Sequence, residues 1–132
     1  MEHRYPVSGT FELTGRCNLN CKMCYVHVNN QKIQELGYRE RTTKEWIDMA
    51  HQIWEAGTLK LLLTGGEPMI RSDFCEIYES IAQMGFFLTL YTNATMITPQ
   101  IMTTLRCKLR LNGTPVPLLR NGYSIFIGTK YR

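Results

Sequence analysis

The spacing of apolar residues predicts three short strands in the first hundred residues. The first covers residues 9–13, within a stretch from residue 7 to residue 14 that is rich in strand-forming side chains. The second covers residues 59–63 and is almost continuously apolar, as expected of a strand buried on both faces of a parallel sheet. The third covers residues 86–91. Polar and glycine-rich segments follow each strand, and the ends of parallel strands are where ligands bind in α/β proteins.

Helical periodicity separates the first strand from the second. Thr42 and Glu45 form a capping-box pattern, and apolar residues behind them recur at helical spacing. The pattern predicts a helix that ends at Gly57, the residue best suited to a left-handed C-cap. Trp46 and Trp54 both lie on its apolar side, so we expect both to pack in the core.

Two more helices are predicted after the second and third strands. Ser72 or Asp73 is expected to cap the first of them, which runs to Gly85 and carries Cys75 as a small buried residue. Thr98, followed by a proline, is expected to start the second. Strand and helix therefore alternate three times, which predicts an α/β fold with right-handed crossovers and a parallel sheet.

Composition agrees with a soluble globular protein. The 132 residues suit one domain, and the 44% hydrophobic and 20% charged residues are ordinary proportions. No apolar run reaches the length of a membrane span, and no apolar signal segment follows the first residues. We therefore expect a cytoplasmic protein without a membrane partner.

Charge divides the chain into two parts. Residues 1–105 hold nine Lys and Arg against eleven Asp and Glu, whereas residues 106–132 hold six Lys and Arg and no acid. The basic residues of the second part form no dense block, so we expect no nucleic-acid partner. Two prolines, at positions 115 and 117, exclude a central strand there, and residues 121–122 could turn a hairpin.

Three cysteines carry the clearest chemistry in the chain. Cys17, Cys21 and Cys24 lie within eight residues, directly after the first predicted strand. An odd total of five cysteines, crowded in this way, suits metal binding better than disulfides. Three thiolates can hold three corners of an iron-sulfur cluster, which normally has four cysteine ligands, so one iron would stay open for another ligand.

A second motif follows the second predicted strand at residues 65–68. Gly65 and Gly66 would allow backbone to approach a ligand closely, and Pro68 would end ladder pairing. Glu67 would then be an acceptor for a cation, and an ammonium group is a natural partner.

The cysteine triplet, with Tyr25 after it, resembles the signature of the radical S-adenosylmethionine (radical SAM) enzymes, and residues 65–68 resemble that family's second motif. The resemblance implies a 4Fe-4S cluster on Cys17, Cys21 and Cys24, with S-adenosylmethionine on its open iron. It further implies reductive cleavage of that cofactor to a 5'-deoxyadenosyl radical, which abstracts hydrogen from a substrate.

The same resemblance implies roles for five cofactor-binding residues. Glu67 would accept the cofactor's ammonium group, with backbone help from Gly65 and Gly66. Asn93 would lie close to the adenosyl group, although a plain turn residue is an equal alternative, and Met23 would offer apolar surface to adenine. No residue is assigned a catalytic role.

The stretch from Leu13 to Cys21 is similar to the branch that modifies peptides or proteins. That likeness implies a peptide or protein substrate and a reductant such as flavodoxin or ferredoxin. Family members build six βα units into a partial parallel (β/α) barrel, whereas this chain supplies about three. We therefore expect the N-terminal half of a radical SAM core in residues 1–105, and an irregular basic tail of foreign or frameshifted origin in residues 106–132.

Two other interpretations stay open. His27 could complete the three cysteines as a non-catalytic zinc or iron site, since zinc accepts cysteine and imidazole ligands. Alternatively, the chain could be an inactive truncated fragment. In either case the third strand exposes an edge that a fourth would normally pair, so the options are association through that edge, aggregation, or pairing by residues 106–132.

Overall fold

A parallel sheet with helices packed on one face forms the centre of the protein. The computed structural model describes residues 6–22, 24, 37, 39–106, 110–111, 114–115 and 124–127. The elements in chain order are β1 (Ser8–Glu12), α1 (Thr43–Glu55), β2 (Lys60–Thr64), a short 3₁₀ helix (Pro68–Ile70), α2 (Phe74–Gln83), β3 (Phe87–Thr92), α3 (Pro99–Arg106), β4 (Arg110–Leu111), β5 (Thr114–Pro115) and β6 (Ser124–Ile127).

The main sheet has the strand order β1-β2-β3-β6, and its three pairings are all parallel. Gly9 pairs with Leu61, and Leu61 pairs in turn with Leu88, so the first three strands follow one another across the sheet. The predicted α/β fold with three βα units of a partial barrel is thus confirmed. Each of these strands lies one residue away from its predicted position.

The two faces of the sheet differ in burial. Phe11, Leu63 and Leu90 belong to the buried core under the helices, while Lys60 on the opposite face is exposed and Leu62 is half-buried. The prediction that the second strand is buried on both faces is therefore wrong. Strand residues alternate between faces, and in the described part of the chain only one of those faces is covered by helices.

Helix α1 begins as the sequence predicts. The Thr42 hydroxyl accepts from the Glu45 backbone N–H, and the Glu45 carboxylate accepts from the Thr42 backbone N–H, which completes the capping box. Trp46 is buried as expected, but Trp54 is 39% exposed, so its predicted core position is wrong. Trp54 lies in the last turn of the helix, where its ring packs edge-on against Phe86 with centroids 5.1 Å apart.

The starts of the other helices differ from each other. Asp73 is the N-cap of α2, yet its side chain makes no capping hydrogen bond, because its carboxylate accepts instead from Arg71 and Thr43. Thr98 does cap α3, since its hydroxyl oxygen accepts from the Ile101 N–H at 3.2 Å.

No helix in the described residues has the length and apolar character needed to cross a bilayer.

The basic tail contributes to the sheet. Strand β6 pairs in parallel with β3, from Thr89 with Ser124 to Thr92 with Ile127, so it covers the edge that the sequence left open. Strands β4 and β5 form a separate antiparallel pair. Cys107 and the predicted turn at residues 121–122 lie outside the described residues.

Candidate functional site

The loop that carries the cysteines leaves β1 side by side with the glycine-rich turn that leaves β2. The Gly66 N–H donates to the Thr14 carbonyl at 2.8 Å, and the Glu67 N–H donates to the Arg16 carbonyl at the same distance. The Leu13 N–H likewise donates to the Thr64 carbonyl at 2.8 Å. We call residues 13–16 the stem of the cysteine loop; these bonds extend the β1-β2 pairing as far as the residue before Cys17.

Both glycines of the turn are required by this close approach. A Cβ on Gly65 would lie 2.4 Å from the Thr14 carbonyl oxygen, and the φ of +138° at Gly65 is one that other residues rarely adopt. A Cβ on Gly66 would lie 2.2 Å from the Arg16 carbonyl oxygen. The sequence predicted that these glycines allow close approach of a ligand. In the structure, the backbone of the stem approaches them closely.

Glu67 is fully buried, at 0% exposure. Its carboxylate accepts hydrogen bonds from the Thr92 hydroxyl at 2.9 Å, the Met69 N–H at 3.0 Å and the Asn93 N–H at 2.8 Å. All of these donors are neutral groups. The carboxylate therefore holds the turn after β2 to the end of β3. That Glu67 also accepts from a cation stays a prediction.

Asn93 connects the end of β3 to the cysteine loop. Its amide nitrogen donates to the Asn18 side-chain oxygen at 3.0 Å and lies 3.9 Å from the Cys17 sulfur. Its amide oxygen accepts from the N–H and the hydroxyl of Thr95, at 2.9 and 2.6 Å. The structure thus brings Cys17, Asn93 and the turn at Glu67 together at the carboxyl ends of β1, β2 and β3.

The three cysteines of the loop are free thiols. Cys17 and Cys21 are exposed and Cys24 is half-buried. Among the described residues, no three Cys, His, Asp or Glu side chains converge closely enough to hold a metal ion. The donor set nevertheless suits a thiolate-bound metal group, since thiolates are the ligands of iron-sulfur clusters. Met23 and His27 lie outside the described residues.

Sequence reasoning missed the ion pairs beneath the stem. Glu40, two residues before the N-cap of α1, accepts two hydrogen bonds from the Arg16 guanidinium, at 3.0 and 2.9 Å. Partial burial opposes ionisation of Glu40, but hydrogen bonds from Arg16 and Thr14 outweigh it and hold its pKa below the ordinary value. The hydrogen bond to Glu40 in turn raises the pKa of Arg16. The sequence holds no signal for a contact between residues so far apart.

A parallel sheet with a cysteine-bearing loop and a glycine-rich turn at its carboxyl edge has the arrangement of an α/β domain, in which ligands bind at that edge. Residues 11–107 match the family model of the Radical SAM superfamily. Because the match covers more than half of the chain, the protein belongs to that superfamily.

Relatives with assigned functions match a similar part of the chain. A PqqA peptide cyclase of Bradyrhizobium diazoefficiens is 31% identical over 100 residues, which are 76% of this chain and 25% of the relative. An AdoMet-dependent heme synthase of Methanosarcina barkeri is 36% identical over 96 residues, which are 73% of this chain and 26% of the relative. The chain thus spans about a quarter of the length of these relatives.

Solved structures agree on the fold. Streptococcus suis SuiB bound to its precursor peptide SuiA superposes with a TM-score of 0.67 at 22% identity, over 77% of this chain and 22% of SuiB. SuiB bound to S-adenosylmethionine gives a TM-score of 0.65 at 20% identity, over 80% of this chain and 22% of SuiB. At this identity the likeness concerns the fold alone.

Proposed function

We propose that this chain is the part of a radical SAM enzyme that binds a 4Fe-4S cluster and S-adenosylmethionine. Cys17, Cys21 and Cys24 are the cluster ligands. The cofactor binds beside them, at the turn after β2 and at the end of β3. Membership of the superfamily supports the class of chemistry, and the meeting of three strand ends at one edge of the sheet supports the location.

One observation carries the proposal more than any other: Asn93 contacts two of the three segments with its side chain and backbone. Its amide nitrogen lies 3.9 Å from the Cys17 sulfur, while its backbone N–H donates to the Glu67 carboxylate at 2.8 Å. A ligand bound next to Cys17 would therefore be within reach of the Asn93 side chain, which can both donate and accept hydrogen bonds.

The burial of Glu67 suggests how an ammonium group would bind at the turn. The backbone of Gly65 and Gly66 would help to hold the ammonium group. The Glu67 carboxylate would then act from behind the turn, as a negative charge and as the group that holds the turn in place. The role of Met23 beside adenine remains a prediction.

When bound, such a cluster supplies the electron that cleaves the sulfonium of S-adenosylmethionine, which yields the 5'-deoxyadenosyl radical for hydrogen abstraction. The residues of this chain bind and orient the two cofactors. The likeness to a PqqA peptide cyclase supports a peptide or protein substrate. A flavodoxin or ferredoxin would be the reductant. Free thiols and a reducible cluster suit the cytoplasm.

The test is anaerobic reconstitution with iron and sulfide, followed by metal analysis and electron paramagnetic resonance (EPR) of the dithionite-reduced protein. We expect iron and acid-labile sulfide in the ratio of a 4Fe-4S cluster, and a reduced-cluster signal that changes when S-adenosylmethionine is added. An unchanged signal would show that the chain lacks a working cofactor site, which is the inactive-fragment alternative.

Variants of single cysteines make the assignment specific. Cys24→Ala should lose most of the bound iron and the EPR signal, whereas Cys75→Ala should keep both, because Cys75 is half-buried on α2 and away from the loop. Equal iron in the two variants would contradict the ligand assignment. One tightly bound zinc per chain with no sulfide would favour the non-catalytic metal site instead.

A further inference from the structure

We propose that Arg71 is a positioning residue for the cluster-binding loop. Its guanidinium holds the stem of that loop through the Leu13 carbonyl, and through Glu40 it holds Arg16, the residue before Cys17. The inference rests on the proposed function in one respect only, namely that the cysteines of the loop hold the cluster.

The Arg71 guanidinium is buried, with 5% of its side-chain surface exposed. Its Nε and Nη2 atoms donate to the two carboxylate oxygens of Asp73, at 2.9 and 2.6 Å. Nη2 also donates to the Arg41 carbonyl at 3.0 Å, and Nη1 donates to the Leu13 carbonyl at 3.0 Å. Nη1 lies 3.5 Å from a Glu40 carboxylate oxygen.

These contacts join segments that are distant in sequence. Arg71 itself follows the 3₁₀ helix after the glycine-rich turn, and Asp73 is the N-cap of α2. Leu13 belongs to the stem, and Arg41 directly precedes the N-cap of α1. One guanidinium therefore ties the stem to the starts of two helices.

Glu40 extends this network to the residue before the first cluster ligand. Its carboxylate oxygens accept from Arg16 Nε at 3.0 Å and Arg16 Nη2 at 2.9 Å, and the Thr14 hydroxyl donates to one of them. The Thr14 oxygen accepts in turn from the Arg16 backbone N–H at 3.0 Å. Both the side chain and the backbone of Arg16 are thus fixed immediately before Cys17.

Only arginine can make this set of contacts. Its planar guanidinium has five N–H donors in a fixed fork, whereas lysine has a single ammonium point charge on a flexible stem. Arg71→Lys would keep the positive charge beside Asp73 and Glu40 but could not reach both carboxylates and both carbonyls together. The stem would then lose fixed hydrogen bonds while the charge balance is preserved.

Amide hydrogen exchange of the apoprotein tests the positioning directly. The N–H groups of Leu13, Gly66 and Glu67 report on the stem, because each donates across the contact between the stem and the turn. In Arg71→Lys and Glu40→Gln we expect these amides to exchange roughly tenfold faster, the effect of losing about one charge-assisted hydrogen bond. Amides in the middle of α2 should keep their wild-type protection.

The matched control is Arg39→Lys, which alters an exposed two-bond pair with Glu45 that does not contact the stem. It should leave exchange at the stem unchanged. Faster exchange throughout the molecule in Arg71→Lys would indicate general destabilisation. In that case Glu40→Gln, at a partly exposed position, is the variant that tests whether the network holds the stem. Wild-type exchange at the stem in Glu40→Gln would overturn the proposal.

A second readout concerns the cluster itself. In reconstituted protein, loss of visible absorbance in the presence of an iron chelator should be roughly tenfold faster for Arg71→Lys than for wild type or Arg39→Lys. Equal rates would show that the network does not position the cysteines. If wild-type protein takes up no iron and sulfide, the proposed function fails, while hydrogen exchange still decides whether Arg71 positions the stem.

Discussion

At the scale of single residues, Gly66 is the position where a side chain would meet the shortest backbone contact in the turn. Because its Cβ would lie 2.2 Å from the Arg16 carbonyl oxygen, Gly66→Ala must separate the turn from the stem. We expect it to lower the free energy of unfolding by roughly 1–3 kcal/mol, measured by urea denaturation. Gly9→Ala is the control, since its Cβ would meet Leu61 at an ordinary 3.5 Å. Equal losses in the two variants would contradict the packing described for the turn.

The Thr92 hydroxyl satisfies the buried carboxylate of Glu67. Thr92→Val keeps the shape of the side chain but removes the donor, so we expect a loss of about 1–3 kcal/mol in the free energy of unfolding. Thr92→Ser retains the hydroxyl and should recover most of that loss. Thr89→Val, three residues earlier on the half-buried opposite face of the strand, should change stability little. If Thr92→Val matched this control, the hydrogen bonds to Glu67 would be unimportant for folding.

The carboxylates around Arg71 predict a loss of stability in acid. Burial opposes ionisation of Asp73, but hydrogen bonds from Arg71 and Thr43 hold its pKa below the ordinary 3.8, and the pKa of Glu40 also lies below its ordinary 4.5. An unfolded chain then binds more protons than the folded one, so this stabilisation is complete above pH 4.5 and declines as pH falls through the lower folded-state pKa values.

The measurement for this acid dependence is urea unfolding at about pH 6 and about pH 3.5. Asp73→Asn removes one of the responsible groups, so we expect it to be less stable than wild type at the higher pH and to lose less on acidification. An unchanged difference between the two pH values would show that Asp73 does not contribute.

The residues of the site could be predicted to different degrees. The positions of Cys17 and of the turn at Glu67 could be predicted from local spacing, because metal-binding motifs and tight turns are each recognisable within a few consecutive residues. The contacts that join Arg71 and Glu40 to the stem have no such local signal, because they span 58 residues from Arg71 to Leu13 and 24 residues from Glu40 to Arg16. Such contacts depend on the tertiary fold.

At the scale of whole elements, the capping box predicts where α1 begins and contributes to its stability. Thr42→Ala removes the hydroxyl that accepts from the Glu45 N–H, and we expect a loss of about 1 kcal/mol in the free energy of unfolding. Thr103→Ala is the control, an exposed position within α3 whose hydroxyl donates only to a helical carbonyl. A smaller loss in Thr42→Ala than in the control would contradict the role of the cap.

Strand positions were predicted to within one residue, and the error has a physical cause. Strand ends are set by hydrogen bonds to neighbouring strands, and an apolar run does not mark them: Leu59 is apolar, yet it is 52% exposed and precedes β2. Phe86 is buried but precedes β3, because the ladder starts with the Phe87 N–H donating to the Leu59 carbonyl at 2.8 Å. Helix starts were easier to predict, since their caps are local.

At the scale of the whole molecule, the sequence predicted the alternation of strands and helices, but it gave pairing of the tail with the third strand only as one of several options. Periodicity within residues 1–105 determines the first three strands. The pairing of β6 with β3 depends instead on which edge is free once those strands have assembled. A four-residue strand carries no signal for its partner, so only the folded arrangement identifies it.

That pairing predicts the oligomeric behaviour of shortened chains. A chain that ends at residue 123 lacks β6 and leaves the backbone of β3 without its neighbour from Thr89 to Thr92. Unpaired strand edges promote association, so we expect this chain to form dimers or larger species in sedimentation-velocity runs at concentrations where the full chain is monomeric. A chain that ends at residue 127 keeps β6 and should behave like the full chain. If both shortened chains stay monomeric, β6 is not what protects the edge of β3; if both associate, residues beyond β6 provide the protection.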